Sequence, residues 1–166
     1  MTTPDSSTRK ARSREEQAAV EAAVCDLYER RIAFNGTLGL RAELVGDDRV
    51  PRLVFDMRPD LVGHYLYGRL HGGVIATALD AAGSFALMVG IAARHHQESA
   101  DAIVERFARM GTIDMRIDYL RQGIGNRFIA SAEITRLGGR IGSTIMRLHN
   151  ESGTLIATGA ASYVVN

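Results

Sequence analysis

The sequence predicts an α+β domain in which one antiparallel sheet curls around a single apolar helix. Residues 72–93 are the longest apolar stretch and carry one charge, Asp80. From Thr112 the pattern changes to period two: Ile113, Met115, Ile117 and Tyr119 alternate with Thr112, Asp114, Arg116 and Asp118, as in a half-buried strand. Strand-like runs over 128–137, 141–149 and 155–165 follow, joined by glycine-bearing turns. An apolar helix and the apolar face of a sheet each need cover, and each can supply it to the other. The 166 residues suit one domain.

Residues 1–13 hold Ser, Thr, Pro and Arg with little to bury, so a disordered tail is expected there and a folded domain over 14–166. A helix is expected over about 14–33, from the spacing of Val20, Val24, Tyr28 and Ile32, with Asn35-Gly36 as its stop. Strands over 38–45 and 52–58 flank the hairpin signal Gly46-Asp47-Asp48, and a loop follows at 59–63. The stretch 72–93 is long enough to span a membrane. Its glycines, Thr77, Ser84 and above all Asp80 would be costly in lipid, and a buried central helix fits better. Residues 98–109 read as a surface helix. Turns at 123–126, 137–139 and 150–153 imply that the last four strands pair consecutively. About six strands around one long helix, with an added N-terminal helix, are therefore expected.

Twenty Lys+Arg against nineteen Asp+Glu give a net charge of +1, too even for a nucleic-acid partner held by general electrostatics. The one cysteine, Cys25, excludes an internal disulfide and fits a reducing compartment. No apolar leader follows Met1, so a cytoplasmic, membrane-free protein is expected. Nucleophile-elbow, Walker A and dinucleotide-loop patterns are absent. His95-His96 are adjacent, not spaced to share a metal from one helix face, and no metal site is expected.

Two features remain, Leu70-His71-Gly72-Gly73 and Asp80. Glycines opening an apolar helix leave backbone N–H groups uncovered, suited to a carbonyl oxygen gaining negative charge. They would equally permit a tight turn or close packing. A carboxylate on a core helix must be hydrogen-bonded or protonated, so Asp80 is a structural residue, a general base or a nucleophile. Gly72 and Asp80 lie about 12 Å apart along one helix, too far to meet one reacting bond. Two copies packed antiparallel would bring them together, so a two-fold dimer is expected.

The run Gly68-Arg69-Leu70-His71-Gly72-Gly73-Val74-Ile75-Ala76 with Asp80 resembles the signature of hot-dog-fold acyl-CoA thioesterases of the PaaI type. Through residues 110–120 it is similar to their YigI-like branch, which acts on medium- and long-chain acyl-CoAs. The resemblance covers residues 38–165. It implies a hot-dog fold and hydrolysis of acyl-CoA, with coenzyme A leaving as a thiol and no metal or redox cofactor. It makes Asp80 the catalytic carboxylate, as base or through a transient anhydride, and Gly72 N–H the oxyanion donor with Gly73 beside it. Thr112 would help hold the attacking water. His64 takes the place of a usual Asn that contacts the thioester carbonyl. His71 points to the thioester or caps the helix. Arg121, Arg136 and Arg140, at strand ends or turns, are candidates for the CoA phosphates or plain solvated arginines. Leu79, Phe85 and Met88 would line the acyl tail or simply fill the core. A homodimer, or two dimers stacked as a tetramer, is implied. Two other readings are an acyl-CoA sensor that does not cleave, and a hydratase or dehydratase. The first lacks a DNA-reading helix pair ahead of the sheet; the second lacks its D-x-N-x-x-H segment.

Overall fold

The computed structural model describes residues 11–166; residues 1–10 of the expected tail lie outside them. Two of the next three residues are held: Ser13 caps α1 (Arg14–Asp26) through a capping box with Glu16, and Arg12 donates to the carbonyls of Ala92 and His95. The expected single helix over 14–33 is instead three pieces. α1 runs into a π turn, Leu27–Arg31, the backbone breaks at Ile32, and α2 (Ala33–Leu38) restarts. Asn35-Gly36 lie inside α2 and stop nothing. Asn35 is buried and donates to the Tyr28 carbonyl at 3.0 Å, a bond that spans the break. Gly39, in the left-handed region at φ 71°, ends the segment, a conformation glycine adopts without penalty.

β1 (Arg41–Val45) therefore starts later than expected, because Leu38 still belongs to α2. It pairs with β2 (Val50–Asp56) across the predicted hairpin. Past the expected loop, a small second sheet forms from β3 (Val62–His64) and β4 (Arg69–Leu70). The central helix, α3 (Gly72–Arg94), matches its expected span within a residue. α4 (Ala100–Arg106) and a 3₁₀ turn, Phe107–Arg109, follow. This helix is shorter than expected and only half surface, since Ile103 and Val104 are buried in the core cluster.

The remaining strands are β5 (Gly111–Tyr119), β6 (Arg127–Leu137), β7 (Ile141–Asn150) and β8 (Leu155–Val164). The main sheet has six strands in the order β1-β2-β6-β7-β8-β5. Consecutive pairing fails once: β5 pairs with β8 at the sheet edge, not with β6. The segment taken for a tight turn, 123–126, instead crosses the end of the sheet. Its carbonyls accept bonds from Leu70 N, Met57 N and the Asn150 side chain, so its polar groups are satisfied by other elements.

The best 18-residue window of α3 has mean hydropathy 1.8, and 67% of it is buried inside this chain. Leu79, Phe85 and Met88, all fully buried, point into the core shared with the sheet. Helix and sheet meet closely at Gly83, where an added Cβ would fall 2.3 Å from Tyr163 Oη. This α+β body is the hot-dog arrangement expected.

Candidate active site

His71 is the N-cap of α3, and its Nδ1 accepts from Gly73 N–H at 2.9 Å. That bond leaves Nε2 carrying the proton in the neutral ring. Gly72 N–H donates to no protein group among the described residues. The Gly72 carbonyl accepts from Tyr119 Oη at 3.0 Å. A Cβ at Gly72 would meet only the Tyr119 ring, at 3.6 Å. Neither crowding nor a left-handed backbone calls for glycine here. What remains is a bare donor at the positive end of a long helix.

Eight residues on, Asp80 faces a cleft rather than the core expected for it. Thr77, Asp80, Ala81 and Ser84 recur at helical spacing and line one wall of a cavity of about 220 Å³, opposite Tyr28, Phe34, Phe107, Met110 and Thr112. Asp80 is half-buried, and its Oδ1 accepts from Thr112 Oγ1 at 2.8 Å, across from β5. Its backbone carbonyl accepts from Tyr163 Oη at 3.1 Å. Burial, and then the charge of Asp80, push the Tyr163 phenol well above its usual range, so it stays protonated as a donor. Leu79 turns the other way and is core, because it is one residue out of phase with the cleft face.

The sequence-predicted residues thus fall into two groups on one chain. Asp80 and Thr112 meet in the cleft; His71, Gly72 and Gly73 gather with Tyr119 at the start of α3. About 12 Å of helix separates them. Arg121 shares the groove beside Gly72 with Arg69 and Tyr119, and donates to the Leu155 carbonyl at 3.0 Å. Arg136 and Arg140 lie at the other end of α3, near Leu137 and Gly138, whose carbonyls receive Arg94. His64 is not on a free loop: it pairs with Arg69 in the β3–β4 ladder, its ring 4.8 Å from that of Tyr67. Its Nδ1 is buried without a partner.

Several residues of these sites carried no expected role, among them Tyr28, Phe34, Tyr119 and Tyr163. Tyr119 closed the strand motif and so had a positional signal. The others sat in ordinary helical or strand patterns, where nothing separates a cavity wall from core.

This is the architecture and donor set of a hot-dog thioesterase. The family profile described as "Thioesterase superfamily" matches residues 67–157, and the chain belongs to that superfamily, among its hot-dog acyl-CoA thioesterases. It is 39% identical over 142 residues to the medium/long-chain acyl-CoA thioesterase YigI of Salmonella typhimurium, covering 86% of this chain and 91% of the relative. The Escherichia coli K12 protein of the same name is 38% identical over the same shares. A crystal structure from Shewanella oneidensis, described as related to the thioesterase superfamily, aligns with TM-score 0.82 and 35% identity. It covers 93% of this chain and 100% of that one.

Proposed function

We propose that this enzyme hydrolyses medium- to long-chain acyl-CoA to a free acid and coenzyme A, at two sites shared across a homodimer. The observation that carries the reading is the Asp80 carboxylate, fixed by the Thr112 hydroxyl on the wall of an open cleft. The substrate carbonyl accepts from Gly72 N–H of one chain, aided by His71 Nε2–H or His64. Donors placed where negative charge develops stabilise the tetrahedral intermediate. Asp80 of the facing chain takes a proton from water, which Thr112 helps to orient, or adds to the carbonyl itself. The thiolate of coenzyme A then leaves and takes the proton that Asp80 removed from water; in the covalent route the thiolate leaves first, and water then splits the Asp80 anhydride, one oxygen going to the free acid and one proton to the thiolate.

The acyl tail runs along Ala81 and Ser84, between Phe34 and Phe107. Gly73 borders the carbonyl, and Arg121 with Arg69 binds the CoA phosphates as planar donors. Arg136 and Arg140 would reach a site only from another chain. Two features support the dimer. Gly72 and Asp80 are too far apart to serve one bond from one helix, and β5 is an edge strand on which Ile113 and Tyr119 are exposed. Stacking of two dimers is compatible with the same interface. The single free cysteine supports a cytoplasmic location.

The test is release of free thiol from a saturated acyl-CoA series, read with a thiol-trapping dye. Release with a maximum at medium or long chains is expected. Tight binding without release would replace the enzyme by a sensor.

A further inference from the structure

We propose that the tip of the β3–β4 hairpin, Tyr65 with Tyr67 behind it, is the platform on which the adenine of coenzyme A stacks. The inference rests on the thioesterase reading and adds how that site tells a coenzyme A thioester from other thioesters.

Tyr65, Leu66 and Tyr67 are 87%, 65% and 62% exposed, three large apolar side chains in succession. Such a run in the open calls for something to cover it. The rings are nonetheless held. The N–H groups of Tyr67 and Gly68 donate to the His64 carbonyl at 3.1 and 3.0 Å, which closes the turn. The Tyr65 and Tyr67 rings lie 5.9 and 4.8 Å from the His64 imidazole between centroids, the first nearly parallel to it. At the base of the hairpin, Gly63 lies so close to His71 that a Cβ would fall 2.4 Å from its Cα. The tip is thereby tied to the end of α3 that carries Gly72, and Tyr65 stays open to solvent.

The Arg69 guanidinium sits over the Tyr67 ring, 5.1 Å from its centroid, and shares the groove beside Gly72 with Arg121. Neither arginine enters an ion pair among the described residues, whereas Arg116 and Arg127 hold Asp118 and Asp56. No acidic residue occurs over 61–79 or 119–126. Flat rings beside two unneutralised guanidinium groups match a purine nucleotide, the rings taking the base and the planar forks the phosphates. A bare lipid tail would leave the arginines unused. The lengths also agree. The pantetheine arm joins sulfur to pyrophosphate through about thirteen bonds, about 16 Å when extended. Tyr67 precedes Gly72 by five residues, at most about 17 Å of chain. A carbonyl seated on Gly72 N–H thus leaves the nucleotide within reach of the tip.

The experiment compares decanoyl-CoA with S-decanoyl-4′-phosphopantetheine, which keeps the reacting arm and lacks the adenosine. Removing a base–aromatic stack in Tyr65→Ala should raise KM for decanoyl-CoA about tenfold. kcat should stay within about twofold, the pattern of lost uniform binding. The kcat/KM of the phosphopantetheine thioester should not change, which also shows that His64 beside the substituted ring is undisturbed. Tyr65→Phe, which keeps the platform, should match the wild type. Should Tyr65→Ala not fold, Tyr65→Leu keeps an apolar side chain on the turn and is read for the same split. Equal losses on both thioesters, as a hairpin covering the partner chain would give, would overturn the proposal. So would an unchanged KM for decanoyl-CoA. The calorimetric Kd of coenzyme A itself, expected to weaken about tenfold in the same variants, reads the platform without turnover. If no thioester is cleaved, the thioesterase reading fails while that Kd still decides this one.

Discussion

A carboxylate persists at position 80 on the most apolar helix of the molecule because it faces the cleft and not the sheet. The Thr112 hydroxyl then holds one oxygen and leaves the other for water or substrate. Asp80→Asn keeps the shape and removes the proposed base or nucleophile, so kcat should fall by about 10² to 10⁴ with the circular dichroism of the folded protein retained. Near-normal turnover in the folded variant would remove Asp80 from the mechanism. His64 presents a different case. Its Nδ1 is buried unpartnered in the β3–β4 hairpin, so Nε2 is the atom left to reach a carbonyl. His64→Ala should lower kcat by about 10², the low end for losing one oxyanion donor. His64→Asn should recover most of that, because its amide is also a donor. An unchanged kcat in the Ala variant would reduce His64 to a hairpin residue.

At the scale of elements, the broken N-terminal helix and α3 build the cavity between them. The π turn and the break at Ile32 carry Tyr28, Phe34 and Asn35 to the cavity wall, a placement a straight helix would not give. α3 is in turn fixed by how closely it meets the sheet at Gly83. Alanine there gains about 1 kcal/mol of helix propensity. Its Cβ would crowd Tyr163 Oη at 2.3 Å, with Met146 Sδ and Thr144 Oγ1 both at 2.8 Å, and all three residues are buried. Crowding wins, and Gly83→Ala should lose about 1–3 kcal/mol in urea denaturation. A gain would show that the helix can back away from the sheet.

The other end of α3 is clasped by Glu98, which accepts from Arg106 at 2.8 and 2.6 Å and lies 3.3 Å from His95 Nδ1. The Arg106 hydrogen bonds hold the Glu98 carboxyl below its ordinary value of 4.5. A depressed carboxyl stabilises the fold above the unfolded value and stops doing so as pH falls through the folded one. Glu98→Gln should therefore lower Tm by about 1–3 °C at neutral pH, with the gap closing below about pH 4. A gap that persists in acid would point to packing rather than charge.

At the scale of the whole molecule, the proposed site needs a second chain, and mixing variants tests that directly. Gly72 is the first residue of α3, and His71 before it is extended at ψ 138°. Proline is tolerated at such a position, so Gly72→Pro deletes the donor N–H without breaking the helix. Gly72→Pro and Asp80→Asn should each be nearly inactive alone. Refolded together in equal amounts, about half the dimers would be hybrids with one intact shared site. About a quarter of wild-type activity should return. No recovery, with hybrids demonstrated by mass, would place Gly72 and Asp80 in the same chain's site.

Local periodicity by itself determined the class of fold, the central helix and its ends and the six strands of the main sheet, though not the β3–β4 pair, and it singled out Gly72 and Asp80. Period and turn chemistry are properties of adjacent residues, and a lone charge in an apolar run shows without any fold. Tertiary structure alone decided that β5 joins β8 at the edge and that the first helix breaks around a buried Asn35. It also decided that Leu79 is core while Tyr28 is cavity wall. Strand partners are chosen by where long-range backbone groups find their bonds, and 123–126 spends its carbonyls on β4, on the end of β2 and on β7. Which side of an apolar element faces a void is set by what packs opposite, and no window of sequence contains both walls of a cavity.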